Sequence, residues 1–215
     1  MRVGCVVITD GRLEPMARTV RSLLENVHYD WDDMVMINDS ADPDYDMLLK
    51  VAFPEFRHVA HETRRGFAGA VNSAWEQTDS CNYLFHLEDD FKMNREIPIS
   101  DMIEVLESRP HIAQMALKRQ LVNQAEISAG GYLLPDDMEM WEYAGHRWME
   151  HRKFFTTNPS LIPKWVRDRR FQPPEAEGKF AIDLFNETDA TCAYWGHGEE
   201  WVEHIGDERT AGWQE

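Results

Sequence analysis

Three consecutive carboxylates, Glu88, Asp89 and Asp90, follow directly on the apolar run Tyr83-Leu84-Phe85-His86-Leu87. Carboxylates this close repel one another, and the cluster is costly unless water or a cation neutralises it. Oxygen-only ligands at the carboxyl end of a strand suit Mg²⁺ or Mn²⁺ holding a diphosphate. Side chains alternate along a strand, so a strand continued through the run sends Glu88 and Asp90 to one face and Asp89 to the other. A second group lies in the tail WGHGEEWVEHIGDER, where His197, Glu200 and His204 bring together residue types that suit Zn²⁺. That grouping implies a metal-dependent hydrolase, but its spacing contains no HExxH.

Elements must deliver these groups to one place. Arg2–Thr9 is β-branched and apolar, Asp33–Asn38 (DMVMIN) repeats the pattern, and Phe56–His61 is a weaker third strand ahead of the strand that ends in the carboxylates. Continuous apolar runs of this kind read as strands buried on both faces. Between them, Pro15 opens a helix with a stripe of Met16, Val20, Leu23, Leu24 and Val27, and Phe67–Gln77 forms another with Ala70, Val71, Ala74 and Trp75 inward. Strands alternating with helices predict parallel βαβ units and a doubly wound α/β sheet, in which ligands bind beyond the carboxyl ends of the strands. The polar turns Thr9-Asp10-Gly11-Arg12, Asn38-Asp39-Ser40 and Glu88-Asp89-Asp90 all fall there. No GxGxxG follows the first strand, which argues against a nicotinamide enzyme.

The second half is less regular. Ile99–Glu107 reads as a helix, Ile112–Leu117 as a strand, Gln124–Tyr132 as a turn or hairpin, and Phe154–Pro163 as strand and turn. The basic run Lys164–Arg170 (KWVRDRR) is expected to be a solvated helix face, and a last helix is expected around Phe180–Asn186. Six of the eight Trp follow residue 140, which suggests a cleft with aromatic walls.

The composition narrows the function classes. A chain of 215 residues, 43% hydrophobic and 28% charged, is ordinary for one soluble domain, but its 22 basic and 39 acidic residues leave a net charge of −17. That balance disfavours a broad nucleic-acid-binding surface and leaves room for divalent cations. Cys5, Cys81 and Cys192 are scattered, odd in number and without CxxC, so core filling in a reduced, cytoplasmic setting is expected. No stretch reaches the roughly 18 apolar residues of a membrane span, and the apolar start of MRVGCVVITD is too short for a secretory signal.

With VVITDGR ending the first strand, INDS ending the second, RRGFAGAVNSAW before the fourth and LEDDF at its end, the chain resembles the GT-A glycosyltransferases, in particular family 2-like enzymes. Val71 departs from the family pattern, in which an Arg often precedes the Asn. The resemblance implies a GT-A (Rossmann-like) α/β fold, a mixed, mostly parallel sheet flanked by helices. It implies a single domain over 1–215, with a nucleotide-sugar-binding half at 1–95 and an acceptor-binding half at 96–215.

It also implies roles. Thr9 and Asp10 would line a nucleoside pocket with Arg12 nearby, and Asp39 would hydrogen-bond the base, uracil in a UDP-sugar. Arg65 would approach base or phosphates, Glu88 the ribose, and Asp89 would support the motif or face the donor sugar. Asp90 would be the main ligand for Mn²⁺ or Mg²⁺ in a DxD-type motif, joined by His204, with Arg209 at the diphosphate. The acceptor-side base of an inverting transfer would be Glu177 or Glu175, with Asp183 more distant. The acceptor stays open between a glycan, a protein, a small molecule and a modified nucleobase. The alternatives are the His197/Glu200/His204 hydrolase and a non-catalytic sugar-nucleotide-binding module.

Overall fold

An unbroken apolar run has no face to offer water, so it needs cover on both sides. In the computed structural model, which describes residues 1–120, 133–173 and 177–206, β1 (Val3–Thr9) is buried along its whole length. It is the hub of a parallel quartet with β2 (Asp33–Asn38), β3 (Arg57–Ala60) and β4 (Tyr83–Glu88). Beyond β4 the sheet becomes mixed. Strand β9 (Ser160–Pro163) runs antiparallel to β4 and to β6 (Ile112–Ala116), and β10 (Thr191–Trp195) is parallel to β6. The antiparallel hairpin of β7 (Glu139–Tyr143) and β8 (His146–His151) closes the edge, giving the order β3-β2-β1-β4-β9-β6-β10-β8-β7. A separate ribbon pairs β5 (Phe91–Met93) with β11 (Val202–His204).

Helices cover both faces. Alternate residues of β1 enter different cores: Cys5 and Val7 pack with α1 (Leu13–Asn26) and α4 (Ile99–Ser108), while Val6 and Ile8 pack with α3 (Gly66–Gln77) and α6 (Glu177–Glu187). The three cysteines are free and buried, as expected of core fillers.

Several expectations need correction. A helix not foreseen, α2 (Pro43–Ala52), follows β2; Asp42 caps it by accepting from the Asp44 and Tyr45 amides at 2.9 and 3.3 Å. Leu24, assigned to the inward stripe of α1, is exposed. The basic run includes α5 (Lys164–Arg167), and Arg167 is fully buried rather than solvated. Its guanidinium donates to the carbonyls of Thr78 and Cys81 at 3.2 and 2.5 Å, closing the end of α3, and burial lowers its pKa to about 10. Trp148 and Trp195 belong to the core rather than to an open aromatic wall. The turn or hairpin expected at Gln124–Tyr132 lies outside the described residues.

His86 tests how tightly this sheet is closed. It lies within β4 with no hydrogen-bond partner on either ring nitrogen among the described residues, and burial pushes its pKa down to about 3 from the ordinary 6.5. The unfolded chain therefore takes up a proton below 6.5 that the folded chain refuses until about pH 3, so stability is lost as pH falls through that window. Between pH 7 and 5 the expected loss from this group is about 2 kcal/mol. Urea unfolding at both pH values should show it, and His86→Leu should flatten the difference. An unchanged pH slope in the variant would mean that other groups cause it.

Candidate active site

The carboxyl ends of the parallel strands finish level: Thr9 lies opposite Asn38, and Ile8 opposite Glu88. Each chain end then turns out of the sheet within one or two residues. Gly11 makes the first turn with φ +113, where a Cβ would also meet Ser40 at 3.2 Å. The last strand stops at Glu88, so Asp89 and Asp90 form a turn rather than alternate across a strand, and both carboxylates reach the same guanidinium.

That guanidinium belongs to Arg12. Its Nε donates to Asp10 Oδ1 at 3.2 Å, and its Nη2 donates to Asp90 Oδ2 at 2.8 Å and to Asp89 Oδ1. Burial works against its charge, but Asp89, Asp90 and Asp10 outweigh burial and hold the Arg12 pKa above its ordinary value. Asp89 is also braced from behind. Thr9 Oγ1 donates to its Oδ2 at 2.6 Å and lies 2.8 Å from the Tyr45 hydroxyl of α2. Burial nevertheless pushes the Asp89 carboxyl up to about 7, against the pull of Arg12 and Thr9.

Asp90 has a second neighbour, which arrives from far along the chain. The β5–β11 ribbon sets His204 opposite Phe91, and the Ile205 amide donates to the Asp90 carbonyl at 2.7 Å. His204 Nε2 then lies 3.4 Å from Asp90 Oδ2. Gly206 completes the cradle, since a Cβ there would stand 2.4 Å from the same oxygen. Burial alone would raise the Asp90 carboxyl, but His204 and Arg12 together hold it below the usual range.

Does this arrangement fit a divalent cation? Asp90 Oδ1 and Glu88 Oε1 are buried and find no hydrogen-bond donor among the described residues, and a cation is one group that would satisfy them. No group of three or more metal-ligating side chains exists among the described residues. Mg²⁺-type sites, however, commonly use one or two protein ligands and complete their shell with phosphate oxygens and water. The Asp90–His204 pair fits that pattern.

Glu88 ends β4 within electrostatic reach of Asp90 and of Glu177 at the start of α6. Burial raises its pKa, helped by the negative charge of Asp90 and, across the gap, of Glu177. Glu177 is the first residue of α6, half-buried; its Oε1 accepts from the Thr157 amide at 2.5 Å and the Thr157 hydroxyl at 2.9 Å. Burial raises the Glu177 pKa above the ordinary carboxylate value, with Thr157 and Arg119 opposing. The three carboxylates thus run from the Asp90 turn through Glu88 to Glu177.

A family model described as glycosyl transferase family 2 matches residues 5–160, well over half the chain. The chain belongs to glycosyl transferase family 2. The matched span covers the Arg12, Asp89 and Asp90 turns and stops short of Glu177 and His204. No curated protein sequence matches significantly. Solved structures share the fold at low identity. Residues 1–349 of S. aureus TarS give a TM-score of 0.64 at 13% identity, covering 97% of this chain and 61% of that one. GalNAc-T7 with UDP, GalNAc and Mn²⁺ gives 0.66 at 13%, covering 100% and 45%. The mannosyltransferase PcManGT from Pyrobaculum calidifontis, with GDP-Man and Mn²⁺, gives 0.67 at 12%, covering 97% and 58%. This family 2 chain therefore spans about three-fifths or less of the length of these GT-A proteins.

The remaining expected residues fall into place around this frame. Asp39 is fully buried and receives three donors: the Arg65 amide at 2.9 Å, the Gly66 amide at 3.0 Å and His61 Nδ1 at 2.6 Å. His61 Nε2 meets the Ser73 hydroxyl at 2.8 Å, so this Asp–His–Ser line ties β2 to α3. All three side chains are buried, and Ser73 has no exposed hydroxyl to act as a nucleophile. Arg65 is exposed at the head of α3, while its neighbour Arg64 binds the Ser40 and Asp10 carbonyls at 3.3 and 3.2 Å.

Glu175 and Arg209 lie outside the described residues. Asp183 is on α6, half-buried and paired with Lys179 at 2.6 Å. The tail grouping does not form a site: His197 Nε2 contacts the Trp141 carbonyl at 3.1 Å, Glu200 is exposed, and His204 faces Asp90. Tyr45, Thr157, Arg119 and Gly206 carry no local signal in the sequence that places them at this site, whereas Arg64 shares the basic pair that marks Arg65. A cavity of about 300 Å³ lies elsewhere, lined by Arg169, Arg170, Lys179 and α6, and those cations are paired with Glu187, Asp79 and Asp183.

Proposed function

We propose that this family 2 chain transfers a sugar from a nucleoside-diphosphate donor, with UDP-sugar the first candidate, to an acceptor hydroxyl, with Mn²⁺ or Mg²⁺ as cofactor and inversion at the anomeric carbon. The observation that carries this reading is the placing of Asp90, at the carboxyl end of β4, between Arg12 and His204. Residues 1–95 would form the donor half and 96–215 the acceptor half.

In this reading the nucleoside lies across the ends of β1 and β2. Asp10 and the Arg64–Arg65 loop approach it, and Thr9 and Asp39 act from behind by fixing Asp89 and that loop. Asp90 and His204 would hold the cation, and Arg209 is assigned to the diphosphate. When bound, the cation neutralises charge growing on the departing nucleoside diphosphate. Glu88 lies beside the sugar, between the diphosphate side and the acceptor side.

The acceptor oxygen attacks the anomeric carbon, the bond from that carbon to the phosphate oxygen breaks with its electron pair, and Glu177 takes the hydroxyl proton. Thr157 holds Oε1 of Glu177 so that the carboxylate keeps one orientation towards the acceptor. The acceptor could be a glycan, a protein, a small molecule or a modified nucleobase. No helix among the described residues is long and apolar enough to cross a membrane. The buried free thiols support work in a reducing cytoplasm.

The test is nucleoside diphosphate release from a panel of UDP-, GDP-, dTDP- and CDP-sugars, with Mn²⁺ and with EDTA. One donor class should be consumed, only with the metal present. Release that EDTA leaves untouched would remove the cation from the scheme, and release from no donor would remove the transferase reading.

A further inference from the structure

We propose that Arg12 is a resident counter-ion of the metal site: it holds Asp90 Oδ2 while no divalent cation is bound and must give up that oxygen when one binds. This rests on the metal reading of the proposed function. The oxygen of Asp90 that faces His204 Nε2 at 3.4 Å is Oδ2, and the same oxygen accepts from Arg12 Nη2 at 2.8 Å. Gly206 closes in on it from a third side. An ion shared with His204, with the unpartnered Oδ1 of the Asp90 carboxylate left to complete the hold, would sit about 2.1 Å from its ligands, against the Oδ2 that faces Nε2. A guanidinium in hydrogen-bond contact with the same oxygen would then stand within a few ångströms of a dication, and the two would repel.

The side chain has somewhere to go. It is 19% exposed and is held by Asp10 and Asp89 as well, so losing Asp90 leaves it two carboxylates. It also offsets the mutual repulsion of its neighbours: one guanidinium stands among three carboxylates, all nearly buried. Arg12 therefore does two opposed things. It stabilises the cation-free protein, and it competes with the cation for Asp90. A diphosphate arriving with the metal would relieve the competition by offering the displaced guanidinium a new anion.

Calorimetric titration of Mn²⁺ alone, without nucleotide, reads the competition, and thermal unfolding with and without Mn²⁺ reads the counter-ion role. Arg12→Met keeps the apolar stem and removes the charge; Arg12→Lys keeps a charge with poorer reach. Arg12→Met should bind Mn²⁺ alone about tenfold more tightly than the native chain. Its melting temperature should be lower in EDTA and should rise more on adding Mn²⁺, with Arg12→Lys in between. Equal or weaker Mn²⁺ binding by both variants, with the native chain still binding Mn²⁺ in the presence of UDP, would overturn the inference and spare the metal reading. No Mn²⁺ binding by any form, with or without UDP, would overturn both.

Discussion

Glu177→Gln is expected to leave nucleotide and Mn²⁺ affinity unchanged within about twofold and to lower sugar transfer by about a hundredfold to ten-thousandfold. The amide is nearly isosteric and its oxygen can still accept from the Thr157 amide and hydroxyl, so the start of α6 should keep its geometry. What is lost is the proton acceptor. Burial raises the Glu177 pKa above the ordinary carboxylate value, so the ionised form needed for catalysis is depleted as pH falls through that raised value. The kcat/KM profile of the native chain should therefore climb with pH through a step above the normal glutamate range. That step should vanish in the variant. Thr157→Val removes one of the two bonds that oppose the shift, and should move the step upward in pH rather than abolish transfer. A fully active Glu177→Gln enzyme would transfer the base to Glu175 or to another carboxylate.

The second large effect is expected at Asp90. Asp90→Asn should weaken Mn²⁺-dependent nucleotide binding by at least about a hundredfold, because a neutral amide is a poor ligand for a hard dication. Some stability should be lost as well, because the pairing with Arg12 and His204 that holds the Asp90 carboxyl below its usual range goes with the charge. The chain should still fold, since the repulsion that Asp90 exerts on Glu88 and Asp89 is relieved. Far-ultraviolet circular dichroism during heating separates this from unfolding. Unchanged metal-dependent binding in a folded Asp90→Asn chain would take Asp90 out of the site.

How much of this was legible beforehand depends on the range of the interaction concerned. Strands β1, β2 and β4 announce themselves because continuous apolar runs have one stable environment, and their polar ends mark one edge of the sheet. Helix α2 carries an Asp42-Pro43 start signal, but Met47, Leu48 and Val51 are exposed and blur its amphipathic pattern. Its Tyr45, which braces Thr9 behind Asp89, is hidden with it. Arg167 looks like its neighbours Lys164 and Arg169, which do make surface ion pairs. Its burial is set by carbonyls of Thr78 and Cys81, more than eighty residues earlier.

The site divides the same way. Asp90 was visible as a residue type at a strand end. That Asp89 and Asp90 share Arg12, instead of parting across the sheet, follows from a turn whose partners come from β1 and β11. The resemblance gives Asp39 to the base, but nothing local in the sequence marks the donors it also receives from His61, Arg65 and Gly66 across the next loop. Glu177 could be picked as a carboxylate at a helix start, but its orientation comes from Thr157, which no local pattern marks.

Nucleoside diphosphate and metal are expected to bind together at the Asp90 turn. Calorimetric titration of UDP and GDP into the native chain, with Mn²⁺ and then with EDTA, tests it most directly. Saturable binding of one nucleotide that disappears in EDTA, and is absent in Asp90→Asn, is the predicted result. Nucleotide binding of equal strength in EDTA, or in Asp90→Asn with Mn²⁺ present, would contradict it.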